Sequence, residues 1–198
     1  VQAVRQLRQL LDAAEPDHYI TTESRLGYRF VAPVTPEDPI ASETDFDEVM
    51  APHRALIDGR ALLETLEQPR IRTAIDVFEA LVARDGREAT FHVGLANACV
   101  LHYESTRAHA MPDIDALRKA VTHAREARRL APDYAEAWAT LGFVLERTDA
   151  RLDAVAALRQ AVHLEPHSWQ HQLLLAYGTW GEERLRAAQR ALDLWPGL

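Results

Sequence analysis

Residues 131–166 read APDYAEAWATLGFVLERTDARLDAVAALRQAVHLEP, and this stretch decides the fold. Apolar residues recur at helical spacing on both sides of a short polar segment, 147–149, which predicts two consecutive helices. The large apolar residues of the two patterns are Trp138, Leu141, Leu145 and Leu158, and the small residues among them are Gly142, Ala154 and Ala161. Because small side chains let antiparallel helices approach closely, the stretch predicts a helix pair. One pair cannot bury both of its faces, so we expect further pairs beside it.

The prolines give this stretch a period. Pro132 and Pro166 stand 34 residues apart, and the aromatic, Leu-Gly, Ala, Ala and Pro positions between them resemble a tetratricopeptide repeat. The resemblance implies a mainly α protein, with an α-solenoid of about four helix pairs over residues 45–198. It also implies that the first helices of the pairs line a concave groove.

The unit before residue 87 is predicted to be an irregular repeat. Its first helix should begin at Thr44 or Asp45 and reach about Glu67, with a break or kink at Pro52. The residues that fit the helix crossing and the second helix are Gly59, Ala74, Phe78 and Leu81. Gly86 stands where proline is usual, and we expect it to end the second helix by adopting a positive φ.

Two more units complete the predicted array. The second unit has His92, Leu95, Ala96 and Cys99 in its first helix and Ala120, Ala124 and Ala127 in its second. A longer loop is expected at about 105–113 between those helices. The last unit is short, since Pro166 and Pro196 are 30 residues apart, and Gly178 and Gly181 predict a tight turn within it. The chain ends about where another repeat or a capping helix would begin, which suggests a fragment of a longer protein.

The resemblance also assigns a partner-binding groove. Its predicted residues are Leu56, Arg60, Val93, Asn97, Ala139, Phe143, Leu173 and Tyr177. This mostly apolar lining would suit a helix or an extended peptide with hydrophobic anchors. Asn97 matches one position of the carboxylate clamp of chaperone-binding repeats, but Val93 and Thr140 replace its basic residues, so we expect no capture of an acidic C-terminal tail. Alternatively, some of these residues, such as Phe143, belong to the core between repeats.

The N-terminal segment has a different pattern. Residues 1–14 have apolar residues at helical spacing, and 19–22 and 28–31 read as two strands joined by a turn. LRQLL followed by HYITTESRLGYRFVAP resembles the C-terminal half of the winged-helix DNA-binding domain of response regulators, especially of CadC-like transcriptional activators. GYRF at 27–30 is the most specific part. The resemblance covers residues 1–34, and the first strands and two helices of that domain are not in this sequence.

The winged-helix resemblance implies a set of DNA contacts. Arg5, Gln6, Arg8 and Gln9 match recognition-helix positions, and Arg25 matches a basic position at the wing tip. Leu26 departs from a position that is often basic or glycine. In isolation, the same helix and hairpin could instead be a structural appendage that packs on its neighbour.

Charge and composition limit the alternatives. The net charge is −8 over 198 residues, and 35–52, which include a Pro-rich linker at 35–44, contain six acidic residues and no basic one, so the acidity belongs mostly to this segment. The sequence has no strong basic patch that would indicate nucleic-acid binding. The single cysteine, Cys99, fits a reducing compartment, and no apolar run could span a membrane, so we expect a cytoplasmic protein without membrane contact.

No convincing active site is found. His163, His167 and His171 repeat every four residues, but Pro166 interrupts the helix between the first two, so metal binding is not expected. Cys99 and His102 are three residues apart, yet Cys99 takes a core position of the repeat, which argues against a nucleophile. We therefore expect no enzyme activity, no metal and no cofactor.

Two functional hypotheses remain. The first is a bacterial-type transcriptional regulator, which would bind duplex DNA through the winged helix in the intact protein. Its repeats would bind a peptide or protein partner, or would form a homodimer that positions two DNA-binding domains. The alternative is a repeat scaffold that binds only a peptide or protein partner.

Overall fold

The computed structural model describes residues 19–23, 27–30, 43–108 and 110–197. The chain divides into two compact units, Val1–Phe46 and Asp47–Leu198. The predicted recognition helix at 1–14 lies outside the described residues, with Arg5, Gln6, Arg8 and Gln9. Arg25, Leu26 and most of the predicted linker also lie outside them.

The described part of the first unit is a two-stranded antiparallel ladder. Strand β1 (Ile20–Glu23) pairs with β2 (Gly27–Phe30), so that Ile20 lies opposite Phe30 and Glu23 lies opposite Gly27. These strands agree with the two runs predicted from the sequence. Their assignment to a winged-helix domain stays a prediction.

Eight helices follow within the described residues. They are α1 (Glu43–Glu64), α2 (Gln68–Arg84), α3 (Ala89–Thr106), α4 (Ile114–Leu130), α5 (Ala135–Leu145), α6 (Arg151–Leu164), α7 (Trp169–Gly178) and α8 (Gly181–Leu194). Consecutive helices form four antiparallel pairs, as the 34-residue period predicts. None of the helices in the described ranges has the length and apolar character needed to cross a membrane.

Of the predicted break or kink at Pro52, the break is wrong, because helix α1 is continuous from Glu43 to Glu64. A kink there stays a prediction. Proline has no N–H, so the carbonyl of Glu48, four residues earlier, loses its partner within the helix. Arg84, at the end of α2, donates a hydrogen bond from Nη2 to that carbonyl at 3.3 Å. A side chain from the neighbouring helix therefore satisfies the group that the proline leaves free.

Glycines at the helix crossings admit one large side chain in the first pair. A Cβ on Gly59 would lie 2.8 Å from Cζ of Phe78, and a Cβ on Gly94 would lie 2.2 Å from its Cε1. Phe78 is fully buried between α1, the first helix of its own pair, and α3, the first helix of the next pair. The predicted crossing position of Gly59 is therefore confirmed, and Gly94 is a further close approach.

The third pair repeats this arrangement with a leucine. A Cβ on Gly142 would lie 2.5 Å from Cγ of Leu158, and a Cβ on Gly178 would lie 2.7 Å from its Cδ1. Leu158 is also fully buried. In both places a large residue of the second helix fills the space that two glycines leave, which explains why neighbouring pairs stack closely.

The turns differ from the sequence predictions in two places. Among the described residues only Leu66 and Gly181 have positive φ, so the prediction for Gly86 is wrong. Helix α2 ends instead at Arg84, and the N–H of Asp85 donates to the carbonyl of Leu81 at 3.0 Å.

The predicted long loop of the second unit is partly helical, because α3 continues to Thr106. The Thr106 hydroxyl accepts the N–H of Asp113 at 3.0 Å. Asp113 in turn caps α4 by accepting the N–H of Ala116 at 2.9 Å. These two bonds fix the return of the chain and shorten the irregular segment to 107–113.

Candidate functional site

Three first helices, α3, α5 and α7, enclose a pocket of about 250 Å³. It is lined by Asn97, Glu136, Ala139, Thr140, Phe143, Gln170, His171 and Leu174. These residues recur at three- and four-residue spacing along α5 and α7, so each helix presents one face to the pocket. The pocket thus lies on the face of the repeat array that is formed by the first helix of each pair.

The structure brings three of the predicted groove residues together in this pocket. Asn97, Ala139 and Phe143 all contribute to its lining. Phe143 is half-buried and also packs against the main core, so it combines the two roles that the sequence left open. Leu173 and Tyr177 lie on α7 but outside the lining.

Two predicted groove residues, Leu56 of the first helix pair and Val93 of the second, lie elsewhere. Leu56 lines a separate pocket of about 460 Å³, together with Pro52 and Phe91. Val93 was expected in the groove, but it is fully buried against Ala127 and Ala137 and cannot contact a partner. The prediction that Val93 lines the groove is therefore wrong, because its side chain on α3 points into the interface with the next helix pair.

Arg60 acts at the edge of the pocket through Glu136. Its Nη2 lies 2.9 Å from Oε2 of Glu136 and 3.4 Å from the hydroxyl of Tyr134. Tyr134 also donates its hydroxyl proton to the same carboxylate oxygen. Burial, with the Glu136 carboxylate beside it, raises the pKa of Tyr134 to about 12, so the hydroxyl remains a donor at neutral pH. The carboxylate that lines the pocket is therefore already paired.

The Phe143 ring is held from one side by Arg147. The guanidinium carbon lies 3.7 Å from the ring centroid, and Nη1 donates to the carbonyl of Phe143 at 2.7 Å. Arg147 is itself fixed by Glu104, whose Oε1 lies 3.0 Å from Nε. These contacts limit the rotation of the ring and leave Arg147 without free charge for a ligand.

His171 forms part of the pocket wall as a neutral imidazole. The side chain is buried, and burial lowers its pKa, although Glu165 acts in the opposite direction. Its Nδ1 has no hydrogen-bond partner among the described residues, and the nearest carboxylate oxygen, Oε2 of Glu165, is 3.6 Å away. The ring thus adds a hydrogen-bonding group, but no charge, to the pocket wall.

The predicted groove set lacked five lining residues, namely Glu136, Thr140, Gln170, His171 and Leu174, although the sequence already placed Thr140 at a position of the carboxylate clamp. The missed residues lie within one helical turn of the predicted positions. Helical spacing around Ala139 and Phe143 would have identified Glu136 and Thr140. For α7 the signal is weaker, because the face it presents depends on how it packs against α6 and α8.

The structure also locates the histidines and the cysteine that were considered as chemical groups. His163 lies on α6, His171 lies on α7, and His167 lies in the turn between them. Within the described ranges no cluster of three or more His, Cys, Asp or Glu residues could hold a metal ion. Cys99 is buried, and burial raises the pKa of its thiol to about 12, so it stays protonated at neutral pH. His102 instead places Nε2 at 3.2 Å from Oδ2 of Asp113.

No family model and no curated protein matches the sequence. Solved structures do match the fold. TTC0263, a thermophilic TPR protein of Thermus thermophilus, superposes with a TM-score of 0.65 at 24% identity, over 78% of this chain and 81% of that one. MamA superposes with a TM-score of 0.52 at 18% identity, over 82% of this chain and 96% of that one.

The O-GlcNAc transferase of Thermobaculum terrenum superposes with a TM-score of 0.57 at 16% identity. The match covers 74% of this chain but 26% of that enzyme. Together with the four helix pairs and their close glycine crossings, these likenesses show that the chain has a tetratricopeptide-repeat fold.

Proposed function

We propose that residues 47–198 form a protein-interaction module that binds a peptide across α3, α5 and α7. The observation that supports this is the pocket on the first helices, where three predicted groove residues, Asn97, Ala139 and Phe143, line one cavity. The tetratricopeptide-repeat fold agrees with such a role, because stacked helix pairs create extended concave binding surfaces.

The lining favours an apolar anchor on the ligand. Ala139, Phe143 and Leu174 supply apolar surface, while the amides of Asn97 and Gln170 can donate to and accept from a peptide backbone. The lining contains no arginine or lysine, and Glu136 is already paired with Arg60. A peptide with an aliphatic or aromatic side chain fits this chemistry better than an acidic C-terminal tail does.

Selection from a displayed library of random peptides, followed by fluorescence anisotropy, tests this function. We expect selected peptides to bind roughly tenfold more weakly to the Leu174→Ala and Asn97→Ala variants, since a buried contact typically contributes above about 1 kcal/mol. Arg118→Ala, on the exposed side of α4, is the matched control. Equal affinity for all these variants, or no enrichment of any peptide, would contradict the proposal.

The Tyr177→Ala variant tests how far the peptide-binding groove extends along the first helices. Tyr177 is 64% exposed on α7 and lies outside the pocket lining. If bound peptides continue along the first helices as the sequence predicted, Tyr177→Ala weakens binding as well. If they are confined to the pocket, this variant binds like the unchanged protein.

DNA binding is the second candidate function, and it rests on the N-terminal segment. The antiparallel pairing of Ile20–Glu23 with Gly27–Phe30 supports the hairpin that the winged-helix resemblance implies. In that function the repeats would position two DNA-binding domains, and the predicted contacts are those of Arg5, Gln6, Arg8, Gln9 and Arg25.

Duplex-DNA binding, measured on the intact protein, tests the second candidate. Affinity should fall steeply as salt rises, because arginine–phosphate contacts release counterions. The Arg5→Ala/Arg8→Ala variant should bind more weakly and with a shallower salt dependence. Absent or salt-independent binding would leave the protein-interaction module as the function.

A further inference from the structure

The other side of α5 forms a second pocket, of about 410 Å³, between the second helices α4 and α6. Its lining consists of Arg125, Arg128, Trp138, Leu141, Leu145, Asp153, Ala156, Ala157 and Gln160. None of these residues belongs to the pocket formed by α3, α5 and α7. The two cavities therefore offer separate binding surfaces on opposite sides of one helix.

A comparison with the second pair explains why this pocket is open. His92 stands three residues after the start of α3, just as Trp138 stands three residues after the start of α5. The His92 ring stacks on His123 of α4, with centroids 5.0 Å apart. The residue 34 positions after His123 is Ala157, which has no ring to place beside Trp138. The third pair thus has an alanine methyl where the second pair has an imidazole, which leaves room beside the Trp138 ring.

The floor of this pocket is apolar and its indole is fixed. Leu141, Leu145 and Ala157 are buried. Nε1 of Trp138 donates to the carbonyl of Pro132 at 2.7 Å, which holds the ring in one orientation. A cavity of this size with a rigid aromatic wall suits an aliphatic side chain.

The rim carries two guanidinium groups that lack carboxylate partners among the described residues. Arg125 has none, and Arg128 lies over the Trp138 ring, with its guanidinium carbon 5.4 Å from the ring centroid. On the same helix Arg118 and Arg129 are both paired, each with a carboxylate oxygen at 2.6 Å. The unpaired charges are therefore concentrated at the pocket, where they favour an anionic group.

Asp153 lies on the opposite rim, on α6. Its carboxylate can accept a backbone N–H, which a peptide has and a simple aliphatic acid lacks. We propose that this pocket binds an acidic peptide segment. An aliphatic side chain inserts beside Trp138, and a neighbouring carboxylate binds Arg125 and Arg128.

Two-dimensional NMR of the 198-residue chain tests the site through the indole N–H signal of Trp138. The probe is a ten-residue peptide with two Leu-Glu pairs in a Gly-Ser background, and the matched peptides carry Leu-Gln or Leu-Lys pairs. We expect the Leu-Glu peptide to shift this signal in the range of about 0.1 to 1 mM. The Leu-Gln peptide should bind roughly fivefold more weakly, since it lacks the charge-assisted bonds.

Two test variants and one control distinguish the contribution of the charged rim to peptide binding from that of the apolar cavity. Arg125→Glu/Arg128→Glu should lose the Leu-Glu peptide and bind the Leu-Lys peptide, whereas Arg118→Glu/Arg186→Glu, with the same change in net charge, should behave like the unchanged protein. Ala156→Leu adds bulk at an exposed position of the lining and should weaken the binding of every peptide.

Three results would overturn the proposal. These are no shift at Trp138, equal binding of the Leu-Glu and Leu-Gln peptides, and equal losses in the two charge-reversed variants. Circular dichroism of each variant checks that a loss of binding is not a loss of fold. Because the groove residues are unchanged in all of them, failure here leaves the proposed groove function intact.

Discussion

The His92 and His123 imidazoles occupy defined tautomers. Nε2 of His92 lies 3.1 Å from the carbonyl oxygen of Gly86, and a carbonyl can only accept, so this nitrogen carries the proton. Nδ1 of His92 is then an acceptor, and Nδ1 of His123, at 2.8 Å, must donate to it. The hydrogen bond between the two rings therefore runs from His123 to His92.

This pairing predicts a dependence of stability on pH. Burial lowers the pKa of His123 from 6.5 to about 4, and the adjacent His92 ring acts in the same direction. The unfolded chain therefore binds the proton first, so the stabilisation is complete above pH 6.5 and is lost as the pH falls towards 4. At pH 5 we expect a loss of about 1 to 2 kcal/mol relative to pH 7.

Urea unfolding at pH 7 and pH 5 measures this loss. His123→Asn keeps a donor that can reach His92 but does not titrate in this range. The unchanged protein should lose more stability between the two pH values than this variant does. The same loss in both proteins would show that other groups cause the pH dependence.

Gly94 gives a second prediction at the residue scale. Alanine favours a helix over glycine by about 1 kcal/mol, but its Cβ would lie 2.2 Å from the Phe78 ring. Because Phe78 is fully buried and cannot move freely, the steric term should prevail, and Gly94→Ala should lower the free energy of unfolding by about 1 to 3 kcal/mol.

Gly86→Ala is the matched control for this change. Its Cβ would meet only the Val82 carbonyl, at 3.4 Å, and its φ is not positive. Urea unfolding should show a change of less than about 0.5 kcal/mol for this variant. A Gly94→Ala protein as stable as the unchanged one would mean that Phe78 has room to move.

At the scale of the element, helix α1 shows where local rules fail. The sequence predicts the crossing at Gly59, because that glycine follows from the repeat pattern. The same sequence predicts a break or kink at Pro52, and the break is wrong, because the rule for proline considers only the helix itself. The donor that replaces the missing bond comes from Arg84, 36 residues beyond Glu48, and no local pattern reveals it.

A double-mutant cycle tests this replacement. Arg84→Ala should destabilise the protein by about 0.5 kcal/mol, since water takes the place of the arginine at the exposed Glu48 carbonyl. In a Pro52→Ala background the helix regains its own N–H, so the same change should cost less. Urea unfolding of the four proteins gives the coupling energy, and a coupling of zero would exclude this role of Arg84.

At the scale of the whole molecule, the period predicts four helix pairs but not the surfaces they create. Asn97 and Phe143 hold equivalent places in successive units, and Ala139 lies one helical turn before Phe143, so all three could be assigned to a common groove. The burial of Val93 and the lining by Leu174 could not, since they depend on the rotation of each helix against its neighbours. The pairing of Arg60 with Glu136 joins residues 76 positions apart, beyond any sequence spacing rule.

The Arg60–Glu136 pair connects the first helix of the first pair to the first helix of the third. Both side chains are partly exposed, so the pair should contribute no more than about 1 kcal/mol to stability, and less at high salt. Its larger effect is on the pocket, because Glu136 belongs to the lining. Removing the arginine leaves a carboxylate there whose remaining partner, Tyr134, is neutral.

Arg60→Ala should therefore change peptide preference more than stability. We expect its affinity for a groove peptide to rise roughly threefold when a lysine is placed beside the apolar anchor, and to fall by a similar factor for a glutamate there. Fluorescence anisotropy at low and high salt measures both, and Glu136→Gln in the same protein should abolish the difference. An unchanged preference in Arg60→Ala would mean that Glu136 does not face the ligand, and that the pocket selects its partner by shape alone.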